Sequence, residues 1–400
     1  MERIYMDHSA TTPMTEHALT AMLPWFREEF GNPAAIYSYG QTGKNILSDC
    51  RKRVAACLGA LPTEIFFTSG GTEGDNWVIR SVCRSRRERG RHIITSAIEH
   101  NAVLRTLADL EQDGFEVTYL QPDAQGHILP EQLEAAIRPD TILITIMMAN
   151  NVVGTVNDIP ALSRVAARHH VWFHTDAVQA VGHIPVNVRR LGVDFLTLSA
   201  HKFGGPKGMG AVFVRLSRRL PPLLTGGGQE KELRSGTENV PGIVGMTAAL
   251  EEAVADLDAE SARLAQIRDR IIEGMCSMPG ISLTGDPESR LPGFASFVVE
   301  DIGHSVFLVN ALNELGICVS SGSACSAASR EASHVLLALG YDPKRASCSL
   351  RITLGRGNTL EQANRLIAVV PEIIARLRIE AKKDPAVVFS KPMDPPDLLD

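Results

Sequence analysis

Lys202 stands in the run Ser199-Ala200-His201-Lys202-Phe203-Gly204-Gly205-Pro206-Lys207-Gly208, between a hydroxyl, an imidazole and a glycine-rich turn. A lysine in that setting suits Schiff-base chemistry, because burial and cationic neighbours lower an amine's pKa and make it usable. A phosphate-contacting or surface lysine is the plain alternative. Upstream, His174-Thr175-Asp176-Ala177-Val178-Gln179 places Asp176 at the end of an apolar run. A carboxylate there either caps the next helix or holds a pyridine nitrogen protonated, which turns the ring into an electron sink. Thr68-Ser69-Gly70-Gly71-Thr72-Glu73 precedes a helical pattern, and a small-residue turn into a helix N-terminus offers N–H groups to an anion such as phosphate. A simple strand–helix turn has the same composition. A further anion-friendly loop is Gly226-Gly227-Gly228-Gln229-Glu230, running on to Arg234-Ser235-Gly236-Thr237.

These clusters need a scaffold that brings them together. Short β-branched runs at 64–68, 92–96, 115–120, 141–147, 171–175, 195–199 and 211–215 predict strands, with amphipathic stretches such as 101–112 and 160–169 between them. That alternation predicts an α/β fold with a mostly parallel, covered sheet, in which ligands bind beyond the carboxyl ends of the strands. The polar clusters follow the strand candidates one after another. A charge-rich, helix-favouring stretch at 246–275 predicts a bridge into a smaller α+β unit, with strands at 296–299, 317–320 and 349–353. The expected division is a large cofactor-binding domain at 14–257, a small domain of 1–13 with 258–377, and a poorly ordered tail at 378–400. The tail's prolines and acidic residues, from about Lys382 onward, support that last expectation.

The bulk numbers agree. A chain of 400 residues, 44% hydrophobic and 22% charged, is an ordinary globular composition and long enough for two cores. A net charge of −6 gives no reason to expect nucleic-acid binding, and the arginine-rich run from Arg80 to Arg91 reads as a solvated helix end. Neither a signal peptide nor an apolar run of membrane-spanning length is present, so a cytoplasmic, membrane-free location is expected. Seven cysteines without a CxxC pair predict neither disulfides nor structural zinc, and His169, His170 and His174 lack metal-site spacing. Most of the thiols are expected to be buried small hydrophobes; Cys325 is set apart by its serine and glycine neighbours.

In their order along the chain, these segments resemble the cysteine desulfurases of the NifS/IscS type, within the class V aminotransferase-like pyridoxal-phosphate enzymes. The resemblance runs from Tyr5-Met6-Asp7-His8-Ser9-Ala10-Thr11-Thr12 to about Leu377. It includes Phe30-Gly31-Asn32-Pro33, Glu99-His100, Ala149-Asn150-Asn151, Ser320-Ser321-Gly322-Ser323-Ala324-Cys325 and the segment 350–356. It implies the fold type I of pyridoxal-phosphate transferases. It also implies pyridoxal 5′-phosphate on Lys202, Asp176 paired with the ring nitrogen, Gln179 at the phenolic oxygen and His100 on the ring face, aiding proton transfer. Gly71, Thr72, Ser199 and His201 would bind the phosphate, joined by Thr237 from the second subunit of a homodimer. Arg351, Asn32 and Asn151 would bind L-cysteine. Cys325 would take its sulfur as a persulfide, leaving alanine, for delivery to an acceptor such as an iron–sulfur scaffold protein. A transaminase, an epimerase or a selenocysteine lyase on the same fold would share Lys202 and Asp176, but the Cys325 loop favours sulfur transfer. A non-catalytic sulfur carrier would not need Lys202. One departure stands out: Val152 follows the paired asparagines where such enzymes usually have glutamate.

Overall fold

The computed structural model describes residues 3–322 and 332–383, so Cys325 and the end of the chain lie outside the described residues. In chain order the strands are β1 (Ile4–Tyr5), β2 (Ile65–Thr68), β3 (His92–Ser96), β4 (Glu116–Leu120), β5 (Thr141–Thr145) and β6 (Trp172–Asp176). They continue with β7 (Phe195–Ser199), β8 (Gly210–Val214), β9 (Ile281–Leu283), β10 (Phe294–Val299), β11 (Ile317–Cys318) and β12 (Ser349–Thr353). The helices used below are α1 (Gly71–Arg86), α2 (Asn101–Gln112), α3 (Val240–Ala255), α4 (Leu257–Cys276) and α5 (Leu360–Lys383).

Seven strands form one sheet in the order β2-β8-β7-β6-β5-β3-β4. Only β8 runs against its neighbours. The connection from β7 to β8 is too short for a helical crossover, so the chain turns back on itself. Adjacent residues on these strands enter different cores: Phe67, Ile94, Ile144 and Leu196 belong to one cluster, and Phe66, Ile93, Leu143 and Phe195 to another. Both faces are therefore covered, which is why most strands are buried along their length instead of alternating; the edge strand β4 is only part-buried. Helix α1 lies tight on this sheet through Gly74, where an added Cβ would come within 2.6 Å of Thr197 and 2.9 Å of Val212.

The expected bridging helix at 246–275 is two helices, α3 and α4, broken at Asp256 (φ −94°, ψ 4°). Val244, Met246 and Leu250 of α3 are buried in the large sheet's core, whereas Leu264, Ile267 and Ile271 of α4 are buried in a separate one. The break lets one continuous chain change cores. That second core also takes in α5, the antiparallel sheet β12-β10-β9 and the parallel pair β1-β11. The short strands β1 and β9 gave no clear pattern in the sequence. Helix α5 runs to Lys383, so 378–383 are helical, past the point where the tail was expected to begin.

The basic run is partly structural: Arg80 pairs with Asp109 at 2.7 Å, and the buried Arg86 stacks on Trp172 at 4.1 Å. Cys50, Cys83 and Cys348 are buried as expected, but Cys276 is exposed.

Phe297 is fully buried at the centre of β10. Phe297→Ala should destabilise the second core by about 3–5 kcal/mol, read from the urea midpoint at constant slope. A loss below about 1 kcal/mol would show that the surroundings collapse into the hole.

Candidate active site

A cavity of about 250 Å³ opens beyond the carboxyl ends of the strands. It gathers Gly71, Thr72, His100, Asn151, Asp176, Gln179, Ser199, His201, Lys202 and Arg351, ten residues that the sequence singled out. All but Arg351 sit at or just beyond the end of a strand of the large sheet, which is how an open α/β sheet builds a site, whereas Arg351 reaches in from the middle of β12.

The floor is Asp176, the last residue of β6, only 5% exposed. Its Oδ1 accepts the Val178 N–H at 2.9 Å. Burial raises its pKa, against the pull of His100, that N–H and Lys202. His100 caps α2, with Nδ1 accepting the Ala102 N–H at 3.1 Å. In the neutral imidazole the proton is therefore on Nε2. Burial keeps the ring neutral by lowering its pKa, and Lys202 adds to this.

Lys202 closes the short turn after β7, and its Nζ donates to the carbonyls of Ser9 at 2.5 Å and Ala10 at 2.8 Å. Gln179 Nε2 donates to the same Ser9 carbonyl at 3.1 Å. His201 Nδ1 lies 3.1 Å from the Thr11 hydroxyl, and its pKa is lowered to about 4, chiefly by burial. It can hydrogen-bond an anion but brings no charge. No side chain caps the N-terminus of the 16-residue α1, so its first N–H groups face the cavity. A Cβ on Gly71 would come within 2.8 Å of Val178, so only glycine lets this terminus approach the β6 turn.

Arg351 is 2% exposed on β12. Its Nη2 donates to Asp7 at 2.7 Å, and its Nη1 to the carbonyls of Asn151 at 2.9 Å and Gly322 at 2.6 Å. Its Nε is buried without a partner among the described residues.

Two expected residues are elsewhere. Asn32 is exposed, with Oδ1 accepting the Ala34 N–H in a local turn. Thr237 is exposed beside a separate cavity of about 190 Å³. Sequence reasoning gave no role to Ser9, Ala10, Asp75, Met147, Val152 or His334, all of which line the site. Ser9 and Ala10 lie in a run of small polar residues ahead of the first helix, which was the available signal. His334 lies far away in sequence and carried none.

Residues 4–366 match the aminotransferase class-V family model. The cysteine desulfurase IscS of Methanosarcina thermophila is 50% identical, over 94% of this chain and 93% of that protein. A NifS-like protein of known structure is 37% identical with a TM-score of 0.89, covering 94% of this chain and 100% of its own. SspA, solved in complex with cysteine, is 38% identical with a TM-score of 0.78, covering 88% of this chain and 98% of its own. With the fold, the lysine–aspartate pair and nearly full-length identity in agreement, the chain belongs to the class-V aminotransferases and, within them, to the pyridoxal-phosphate-dependent cysteine desulfurases of the IscS/NifS type.

Proposed function

We propose that this cavity desulfurates L-cysteine in a homodimer, with Cys325 as the sulfur acceptor. The meeting of Lys202, Asp176 and Arg351 in one cavity, with Gly322 bonded to Arg351 at its edge, supports this most directly. The described chain reaches residue 322 at Gly322, whose carbonyl accepts from Arg351, and resumes at residue 332, two residues before the cavity-lining His334. Cys325 follows Gly322 by three residues in the sequence.

The residues present suit pyridoxal phosphate. Lys202 would hold its aldehyde carbon, Asp176 its ring nitrogen and Gln179 its phenolic oxygen. Thr72, Ser199, His201 and the N–H groups at Gly71 would hold its phosphate. When bound, the cofactor supplies an electron sink for charge developing at the substrate Cα. The Arg351 guanidinium, with its unpartnered Nε, binds and orients the substrate carboxylate, and Asn151 lies beside it. The amine of Lys202 takes the Cα proton, and the neutral His100, with its proton on Nε2, assists proton transfer. The Cys325 thiolate then attacks the substrate sulfur. An S–S bond forms as the C–S bond breaks, the bonding pair stays with carbon, and protonation of that carbon gives alanine. Sulfur is oxidised to the persulfide level as carbon is reduced, so no outside oxidant is needed. The structure of SspA with cysteine is in keeping with this substrate.

Thr237 would complete the phosphate site from the second subunit, and Asn32 would act in substrate binding only if the assembled dimer brings it close. Residues 14–257 would form the cofactor-binding unit, with 1–13 and 258–377 carrying the Cys325 segment against it. A cytoplasmic enzyme passing its persulfide sulfur to an iron–sulfur scaffold protein is the physiological setting this reading implies. Among the described residues no helix is long and apolar enough to cross a membrane.

Lys202→Ala should abolish both the yellow colour of the purified enzyme and its alanine production; a variant keeping both would remove Lys202 from the reaction. Cys325→Ala should keep the cofactor yet form alanine from cysteine roughly 10⁴-fold more slowly, as loss of a covalent nucleophile does. Alanine release at the wild-type rate would instead point to a general β-lyase. Sedimentation of active protein should show a dimer, and a fully active monomer would exclude any role of Thr237 across subunits.

A further inference from the structure

Behind Lys202 lies a second, larger cavity of about 540 Å³ that the desulfurase reaction does not use. Its walls come from the N-terminal segment, the Phe203 turn, the end of α3, the start of α4 and the loop entering α5. Phe203 belongs to the large sheet's core and Leu264 to the second core, so the cavity sits where the two meet.

Its polar groups are incompletely satisfied. His8 is 8% exposed, and its Nδ1 is buried without a partner among the described residues. Glu252 uses Oε1 to pair with Arg356 at 3.2 Å, but its buried Oε2 accepts nothing from the described residues. Arg3 sits exposed at the rim and makes no ion pair among the described residues. Buried polar atoms are rarely left in this way, so two of them beside one cavity, with the Arg3 charge at its rim, point to an occupant. Both imidazoles are neutral hydrogen-bonding groups here: burial lowers the His8 pKa to about 4, and His183 is lowered by burial too.

The pattern selects the ligand's charge. Phosphate would meet Glu252 and Glu260, and a bare cation would meet Arg3 and Arg356. A molecule with one charge of each sign satisfies both, its carboxylate toward Arg3 and its ammonium toward Glu252. Phe203 and Leu264 supply an apolar wall for a side chain. We propose that this second cavity binds a free amino acid with an apolar side chain, at a site separate from that of the substrate. Because its walls belong to both cores and to the Lys202 turn, the occupant would tie these parts together.

The test uses the cofactor-loaded enzyme and N,N-dimethyl-L-phenylalanine, which keeps both charges and the apolar group. Its tertiary amine cannot form an imine, so it cannot take the place of Lys202 on the cofactor. Equilibrium dialysis should show saturable binding of one molecule per chain with no change in the visible spectrum. Arg3→Gln, at an exposed position, and Glu252→Gln should each weaken binding about tenfold, the usual scale for a lost hydrogen bond to a charged group. Arg351→Gln should leave the affinity unchanged. Absence of saturable binding would overturn the proposal. So would binding that is lost in Arg351→Gln and indifferent to Arg3→Gln, because the probe would then occupy the substrate site.

Discussion

A carboxylate on the floor of a closed cavity is the constraint around which the site is arranged. Burying an isolated charge costs several kcal/mol, and a carboxyl left without compensation takes up a proton instead. Burial raises the Asp176 pKa, and His100, a backbone N–H and Lys202 oppose that rise. The neighbouring carboxyls accept hydrogen bonds too, Glu99 from Ser96 and the Met147 N–H and Asp75 from Thr197, but burial outweighs them. Asp75 is pushed well above its ordinary range by burial and then by the charge of Asp176. Glu99 is pushed up to about 8, mainly by burial. Of these three carboxyls, Asp176 is the one whose rise Lys202 opposes. His174 adds no positive charge, because burial drives its pKa down to about 3 and its ring nitrogens lie between the Thr145 and Thr197 hydroxyls.

The N-terminal segment connects this floor to the second core. Ile4 and Tyr5 pair with β11, and the Met6 carbonyl accepts from Thr353. Asp7 then pairs with Arg351, Ser9 and Ala10 receive the Lys202 amine, and Thr12 bonds to the His201 carbonyl. Fewer than ten consecutive residues thus set the relative positions of Arg351 and Lys202. A displacement of this strap would disturb both, although the strap supplies no group that reacts. Tight geometry of this sort matters because misplacement of about 1 Å can cost roughly a hundredfold in rate.

The large sheet was legible because its strands are buried on both faces. Seven apolar runs separated by polar turns admit few other readings, and all seven appear within a residue or two of the expected bounds. The order of the turn residues made the site legible through family resemblance, and ten of the expected residues line one cavity. What escaped depends on contacts between distant segments. The two-residue β1 carries no periodicity, and the break at Asp256 follows from a change of core partner instead of a helix-stop residue. Asp75 lies within the helical pattern after Glu73 and carried no signal of its own. Its importance comes from facing Asp176, which only the register of β6 on β7 and the approach of α1 at Gly74 decide. The Asp7–Arg351 pair joins residues 344 positions apart, beyond any local pattern.

Val152 shows how a departure from the family pattern is accommodated. It is 1% exposed and packs in a cluster with Ile98, Val153, Val298, Val335 and Leu336. A carboxylate there would be desolvated among apolar side chains, with a cost that valine avoids. The turn does not need one. Asn150 Oδ1 accepts the N–H groups of Val152 and Val153 at 2.9 and 3.0 Å, and its Nδ2 donates to the Ile98 carbonyl at 2.9 Å. The paired asparagines therefore keep the turn's shape and present the Asn151 carbonyl to both Ser9 and Arg351. Val152 meanwhile lines the cavity and reaches toward Gly322, where a Cβ would come within 3.4 Å of it. The residue thus forms an apolar post between the cavity floor and Gly322. Its side chain gives that wall of the cavity an apolar surface with no proton to exchange.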